Sequence, residues 1–279
     1  MPWPSWNQAA VAALVLAVVA LVARRFDHPK AKTTAAVAQE VALVSFLYML
    51  WRLARQLPLT HEQGAEERGR WIYRFQRSVH LPSELSMEHW LKAHHWAATL
   101  TVDYYATVHV PALICFLVWM WVRHPDDYPR WRNVLAITTG FCLFIRFIRV
   151  APPRLLPDLG FYDIAAQMGH DIYGPAGTGA SDQFAAMPSI HIAWAAIVGF
   201  GVWTVTKSRF RIVGPLHLVL TFWAVMATAN HWWLDGLVAM ALVGIALLID
   251  SGVRTLVSRR RRPTASAPAP PTPELVATG

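Results

Sequence analysis

The chain has 279 residues, 55% of them hydrophobic and 15% charged, with 14 Trp and a net charge of +8. Apolar residues in such long runs exclude an ordinary soluble domain. The positive excess lies in the connectors between those runs, which reads as the basic collar of a membrane protein and argues against a nucleic-acid partner.

Seven runs have roughly the 16–22 residues needed to cross a hydrocarbon core: 8–23, 34–53, 101–122, 133–150, 189–206, 212–229 and 232–250. No basic stretch precedes the first, so it reads as a retained anchor rather than a cleaved signal. The second carries Glu40, read as structural. The longest connector, 54–100, follows. Trp71, Ile72, Phe75 and Val79 recur there at helical spacing with Arg70, Arg74 and Arg77 between them, the pattern of an amphipathic helix at a membrane interface. A second short helix is expected after Pro82-Ser83, with Met87, Trp90 and Leu91 on its apolar side. Together the two form either a lid beside a lipid entrance or a passive interfacial anchor.

The third run opens with Asp103, Tyr104, Tyr105 and His109. Asp103, Tyr105 and His109 are candidates for contact with a polar headgroup, the alternative being a hydrogen-bond network between spans. Arg146 and Arg149 lie near the end of the fourth run, where charge is expensive and is either functional or snorkels to the interface. Cys115 and Cys142 fall mid-span as small packing residues. The connector 151–188 begins Pro152-Pro153-Arg154 and contains His170, Asp171 and a glycine-rich stretch at 174–179. That stretch lacks the Lys-Ser/Thr ending of a nucleotide loop. The sixth run holds His217, read as structural and toward the cytoplasmic half. Beyond 263 the chain is rich in Pro, Ala and Thr and is expected to be disordered.

The expected fold is all-α, a polytopic membrane helix bundle of about six to seven spans. Its parts are N-terminal spans in 1–53, an amphipathic connector in 54–100, a catalytic bundle in 101–250 and a basic, then Pro-rich tail in 251–279. The connectors 24–33, 123–132 and 207–211 and the segment from 251 hold most of the 25 Lys and Arg, which places them and the C-terminus in the cytoplasm. The connectors 54–100 and 151–188 then face outward from the cell membrane.

Two motifs carry the chemistry: Pro188-Ser189-Ile190-His191 and His231-Trp232-Trp233-Leu234-Asp235, each where an apolar run begins on the outer side. Pro188 suits a first helical turn and Asn230 suits a cap. Helix N-termini there offer free N–H groups that favour phosphate. His231 and Asp235 are four apart and share one helical face. The carboxylate can keep one imidazole nitrogen protonated and leave the other to attack phosphorus. His191 is then available as the acid for the leaving oxygen, and Ser189 as a donor to phosphate. Arg154 is the leading phosphate ligand, with Arg149 and Arg146 behind it. The histidines lack a compact ligand set, so no metal or other cofactor is expected.

These two motifs resemble the second and third signatures of the type 2 phosphatidic acid phosphatase superfamily, over about residues 100–250. The resemblance implies that His191 is the acid and His231 the nucleophile. Three departures stand out: Ile190 replaces a glycine, Ala224 and Val225 replace a Ser-Arg pair, and the Lys-x6-Arg-Pro signature is absent, its nearest segment being Arg146, Arg149 and Pro152-Pro153-Arg154. Such losses are similar to the inositol phosphorylceramide synthase branch, whose phosphodiesters carry one negative charge and need fewer arginines than monoesters. The expected function is phosphotransfer from a membrane lipid phosphate ester, of inositol-phosphate type, to a lipid or polyol alcohol. A lipid phosphate or polyprenyl diphosphate phosphatase using water as acceptor is the main alternative. A non-catalytic lipid-binding protein is the remote one.

Overall fold

The computed structural model describes residues 4–56, 63–168 and 183–261. The glycine-rich stretch, His170, Asp171 and the Pro-rich tail lie outside them. The described residues are helical with no strand, apart from one isolated parallel bridge between Val150 and Ala185.

Helices α1 (Trp6–Ala23) and α2 (Pro29–Gln56) form an antiparallel hairpin. α1 is capped by Ser5, whose hydroxyl accepts the Gln8 N–H while the Gln8 side chain returns to the Ser5 N–H. Val11, Leu14, Val18 and Leu21 on its outer face are exposed, as lipid-facing residues are. The connector folds as α3 (Ala65–Ser78) and α4 (Glu84–Ala93), the latter capped by the Ser83 hydroxyl. The third apolar run is two helices, α5 (His95–Thr107) and α6 (His109–Arg123), bent by 47°. Pro111 accounts for the break: it has no N–H, and its ring crowds the carbonyl of the residue four before it, Thr107.

α7 (Tyr128–Ile145) stops five residues before the fourth apolar run does, leaving Arg146 as its cap and Arg149 beyond it. A four-residue helix, α8 (Ile164–Gln167), lies in the next connector, capped by Asp163. α9 (Ile190–Val205), α10 (Val213–Ala227) and α11 (Trp233–Arg261) complete the bundle. Among the described residues, four helical segments are long and apolar enough to span a membrane: Trp6–Ala23, Pro29–Ala54, Arg209–Ala227 and Trp233–Arg259. The bent α5–α6 pair raises this to five. The chain is thus an all-α polytopic membrane bundle, with fewer qualifying spans than the seven apolar runs. α7 falls short because Arg130, Arg132 and Asn133 occupy its first turns, and α9 because it has 16 residues.

α9 is the central helix, packed on α6, α7, α10 and α11. Small residues let its backbone approach α10: a Cβ on Gly214 would stand 2.8 Å from the Gly199 carbonyl oxygen. Charges at depth are paired. Glu40 of α2 accepts from Arg132 at 2.8 Å and from the Tyr128 hydroxyl at 2.9 Å, both on α7. Asp250 of α11 accepts from Asn133 at 3.1 Å and from Arg254 at 2.6 Å.

α7 and α10 end, and α9 and α11 begin, at the same end of the bundle. The segments joining them interlock there. The Val150 N–H donates to Phe184, the Ala186 N–H to Val150, the Arg154 N–H to Ala229 and the Ser189 N–H to the Asp235 carbonyl. α3 lies against this end, with the Ala151 N–H donating to Ala65. Gly69 makes that approach feasible, since a Cβ there would meet the Ala151 carbonyl at 2.8 Å.

Candidate active site

The two motif histidines meet at the interlocked end, their ring centroids 5.6 Å apart. His231 stands just before α11 and is buried. Its Nδ1 lies 2.8 Å from the Ala186 carbonyl oxygen and 3.4 Å from Asp235 Oδ2. Both are acceptors, so Nδ1 carries the proton and Nε2 holds the lone pair. Sequence spacing assigned this task to Asp235 alone; the structure divides it, with the carbonyl the nearer partner. Asp235 is fully buried, and its Oδ2 also accepts the Trp232 N–H at 2.8 Å, which fixes the carboxylate toward His231.

Pro188 stands outside α9, after a cis peptide bond, rather than in its first turn; Ser189 is the cap, its hydroxyl oxygen accepting the Ile192 N–H at 3.4 Å. Ser189 is fully buried. His191 is in the first turn of α9. Tyr105 lies 4.9 Å and His109 5.0 Å from it, centroid to centroid. These two candidates therefore join the histidine pair. Asp103 is half-buried and sits roughly 200° round the helix from Tyr105, on another face.

His217 lies near the start of α10, at the end of that helix away from His231. It lies 6.4 Å from His109, nearly parallel to it, and its Nδ1 is 2.7 Å from the Tyr104 hydroxyl. His109 also stacks on Trp194, at 5.7 Å and 4°. A row of rings, His231, His191, His109 and His217, thus runs from the α11 end toward the first turns of α10.

Arg154 is buried beside the nucleophile candidate. Its Nε donates to Asn230 Oδ1 at 2.9 Å, and a terminal nitrogen lies 3.8 Å from Asp163. Asn230 does not cap α11. Its amide donates to the Thr228 hydroxyl at 2.8 Å and its oxygen holds Arg154, so it ties the arginine to the turn that leads into His231. Arg149 is buried with its guanidinium over the Phe184 ring at 5.5 Å, and Arg146 is buried at the end of α7. Ala224 and Val225, at the positions of the missing Ser-Arg pair, are buried among apolar side chains.

Residues that sequence reasoning did not single out complete the site. Gln76 of α3 and Glu84 of α4 are fully buried and reach the start of α11. Glu84 Oε1 accepts the Trp233 N–H at 3.2 Å, and Gln76 Oε1 accepts the Leu234 N–H at 2.9 Å. These amides are therefore not the free phosphate donors expected of this helix terminus. Burial pushes the Glu84 carboxyl up, opposed by hydrogen bonds from the backbone and Gln76 and by the Arg77 charge. Glu88, also fully buried, accepts the Tyr162 N–H with both oxygens, and burial pushes its carboxyl up to about 7. In the sequence Glu84 shows only as a first-turn acid after Ser83, and nothing marks Gln76. The expected apolar face of α3 is also divided: Ile72 turns inward with Gln76, while Trp71 and Phe75 are exposed and stacked on each other at 5.5 Å.

A model of the PAP2 superfamily matches residues 70–249. The chain belongs to the PAP2 superfamily. The matched region holds both histidine motifs and, beyond the extent of the motif resemblance, most of α3 and all of α4. The family comprises phosphatases and phosphotransferases, so the chain is an enzyme of that kind, of lipid phosphatase or phosphotransferase type. No characterised relative and no solved structure matches the chain.

Proposed function

We propose that the protein is a lipid phosphotransferase working through a phosphohistidine on His231. The observation that carries this is the two-acceptor clamp on His231 Nδ1, which leaves Nε2 nucleophilic beside a second histidine. In the first step the Nε2 lone pair attacks phosphorus and the P–O bond to the leaving alcohol breaks. His191, protonated, gives its proton to that oxygen. In the second step His191 takes the proton of an acceptor hydroxyl, whose oxygen attacks phosphorus. The N–P bond breaks and its electron pair returns to Nε2. Arg154 neutralises the phosphoryl oxygens, with Arg149 and Arg146 as further cations and Ser189 as a hydroxyl donor.

The acceptor is an alcohol and the substrate a phosphodiester of inositol-phosphate type. In support, Val225 fills with apolar bulk the position where the phosphatase signature carries an arginine, which lowers the charge available for a dianionic monoester. The buried trio Arg146, Arg149 and Arg154 favours a second reading, a phosphatase for lipid or polyprenyl phosphates, since three cations suit a dianion. The site faces outward, a reading that rests on the basic connectors at the opposite ends of the helices.

The test uses purified protein in nanodiscs with His231→Ala as control. Phosphatidylinositol, phosphatidic acid and a polyprenyl diphosphate are offered with and without lipid alcohols, and products are read by mass spectrometry and phosphate release. A phosphoinositol-bearing acceptor, absent with the variant, is the expected result. Free phosphate without an acceptor identifies the phosphatase. Turnover retained by His231→Ala removes His231 as nucleophile.

A further inference from the structure

A helix N-terminus leaves backbone N–H groups without intrahelical acceptors, and buried ones must be satisfied from elsewhere. At α11 they are all accounted for. The Trp232 N–H goes to Asp235 Oδ2, that of Trp233 to Glu84, that of Leu234 to Gln76, and those of Asp235 and Gly236 to the Trp232 carbonyl. Two of these acceptors come from a segment about 150 residues earlier in the chain. Gln76 and Glu84 are tied to each other, the Gln76 amide donating to Glu84 Oε1 at 2.6 Å. Arg77 lies 3.4 Å from the other Glu84 oxygen, and the Trp233 indole donates to the Pro82 carbonyl at 2.9 Å.

The turn so held is the one that carries the mechanism. His231 and Asp235 flank Trp233 and Leu234, and the His231 ring is aimed through its Nδ1 by the Ala186 carbonyl and the Asp235 carboxylate. If the two side-chain acceptors are lost, two half-buried amides are orphaned and the first turn of α11 can unwind. The carboxylate and the imidazole then lose their common frame. Displacements of about 1 Å suffice to cost on the order of 10²-fold in rate.

We propose that Gln76 and Glu84 are positioning residues for phosphoryl transfer, a side-chain cap that makes the α3–α4 segment part of the catalytic centre rather than a lid or a passive anchor. This rests on the assignment of His231 as nucleophile. The match of the family model from residue 70 onward, which takes in both residues, is consistent with it.

The test compares full-length wild type with Glu84→Ala, Gln76→Ala and Glu84→Gln in nanodiscs. Two readouts are used: kcat against KM on whichever lipid phosphate ester the wild type turns over, and amide hydrogen exchange of a peptide covering 232–236. The two alanine variants are expected to lose kcat by at least about tenfold with KM within about twofold. Their 232–236 amides should exchange faster. Glu84→Gln keeps an acceptor oxygen and should stay within about threefold of wild type in kcat, with wild-type exchange. Alanine variants with wild-type kcat, unchanged exchange, or Glu84→Gln as impaired as Glu84→Ala would each overturn the cap. Should Glu84→Ala fail to fold, Gln76→Ala and Glu84→Gln decide the matter. A wild type inactive on every ester offered would sink the nucleophile assignment instead, while the exchange readout would still decide the cap.

Discussion

The carbonyl oxygen of Ala186 lies nearer to His231 Nδ1 than the carboxylate of Asp235 does, 2.8 Å against 3.4 Å. Ala186 is held in place by its own N–H to Val150, on the segment that follows α7. The tautomer of His231 therefore depends on a backbone group from a connector as well as on its motif partner.

Asp235→Asn should consequently be less damaging than loss of the imidazole. The asparagine oxygen, fixed by the Trp232 N–H, can still face Nδ1, and Ala186 still demands a proton there. What is lost is negative charge beside the developing cation, on the order of 10²-fold in kcat. His231→Ala should abolish turnover. Single-turnover kinetics on both variants would check this; equal losses would show that Ala186 does not hold the tautomer.

Arg154→Ala should lower kcat/KM on the order of 10²-fold, since the guanidinium is buried next to the residue preceding His231. Arg154→Lys should recover little. The Nε–Asn230 bond orients a planar fork, and an ammonium cannot both keep that bond and present two parallel donors. Steady-state kinetics with a thermal-melting control would separate this from misfolding.

Glu88 should make stability fall as pH rises. Its carboxyl, near 4.5 when unfolded, is pushed up to about 7 in the fold by burial, with Asp163 also raising it and the Tyr162 backbone and Lys92 opposing. The folded state therefore binds more proton between those values. The contribution is fully present below about 4.5 and is lost as pH approaches 7, with a slope of at most about 1.4 kcal/mol per pH unit. Glu88→Gln retains an acceptor for the Tyr162 N–H and should flatten this part of the profile. Melting curves of both proteins from pH 4.5 to 8 would show it; parallel profiles would remove Glu88 as the source.

Much of the site could be read before folding because its parts obey local rules. His231 and Asp235 share a face through the helical period, and the His191 motif stands at the head of an apolar run that folds as α9. Tyr105 and His109, read as lining one end of the third run, both reach His191. The places where local reading missed have equally physical causes. Pro111 breaks the third apolar run into two helices bent by 47°, although the run is long enough to be one span. Asn230 looks like a cap by type, but Arg154 claims its oxygen.

The amino-acid sequence by itself determined that this is an all-α membrane enzyme with two histidines at the heads of apolar helices, because hydropathy, helical period and capping chemistry act over a few residues. Only the tertiary structure decided who holds those histidines. The Ala186 carbonyl has no side chain to announce it, and Gln76 and Glu84 act on amides about 150 residues away. Such groups are chosen by the need to satisfy every buried backbone donor, and that need appears only when the chain has closed on itself.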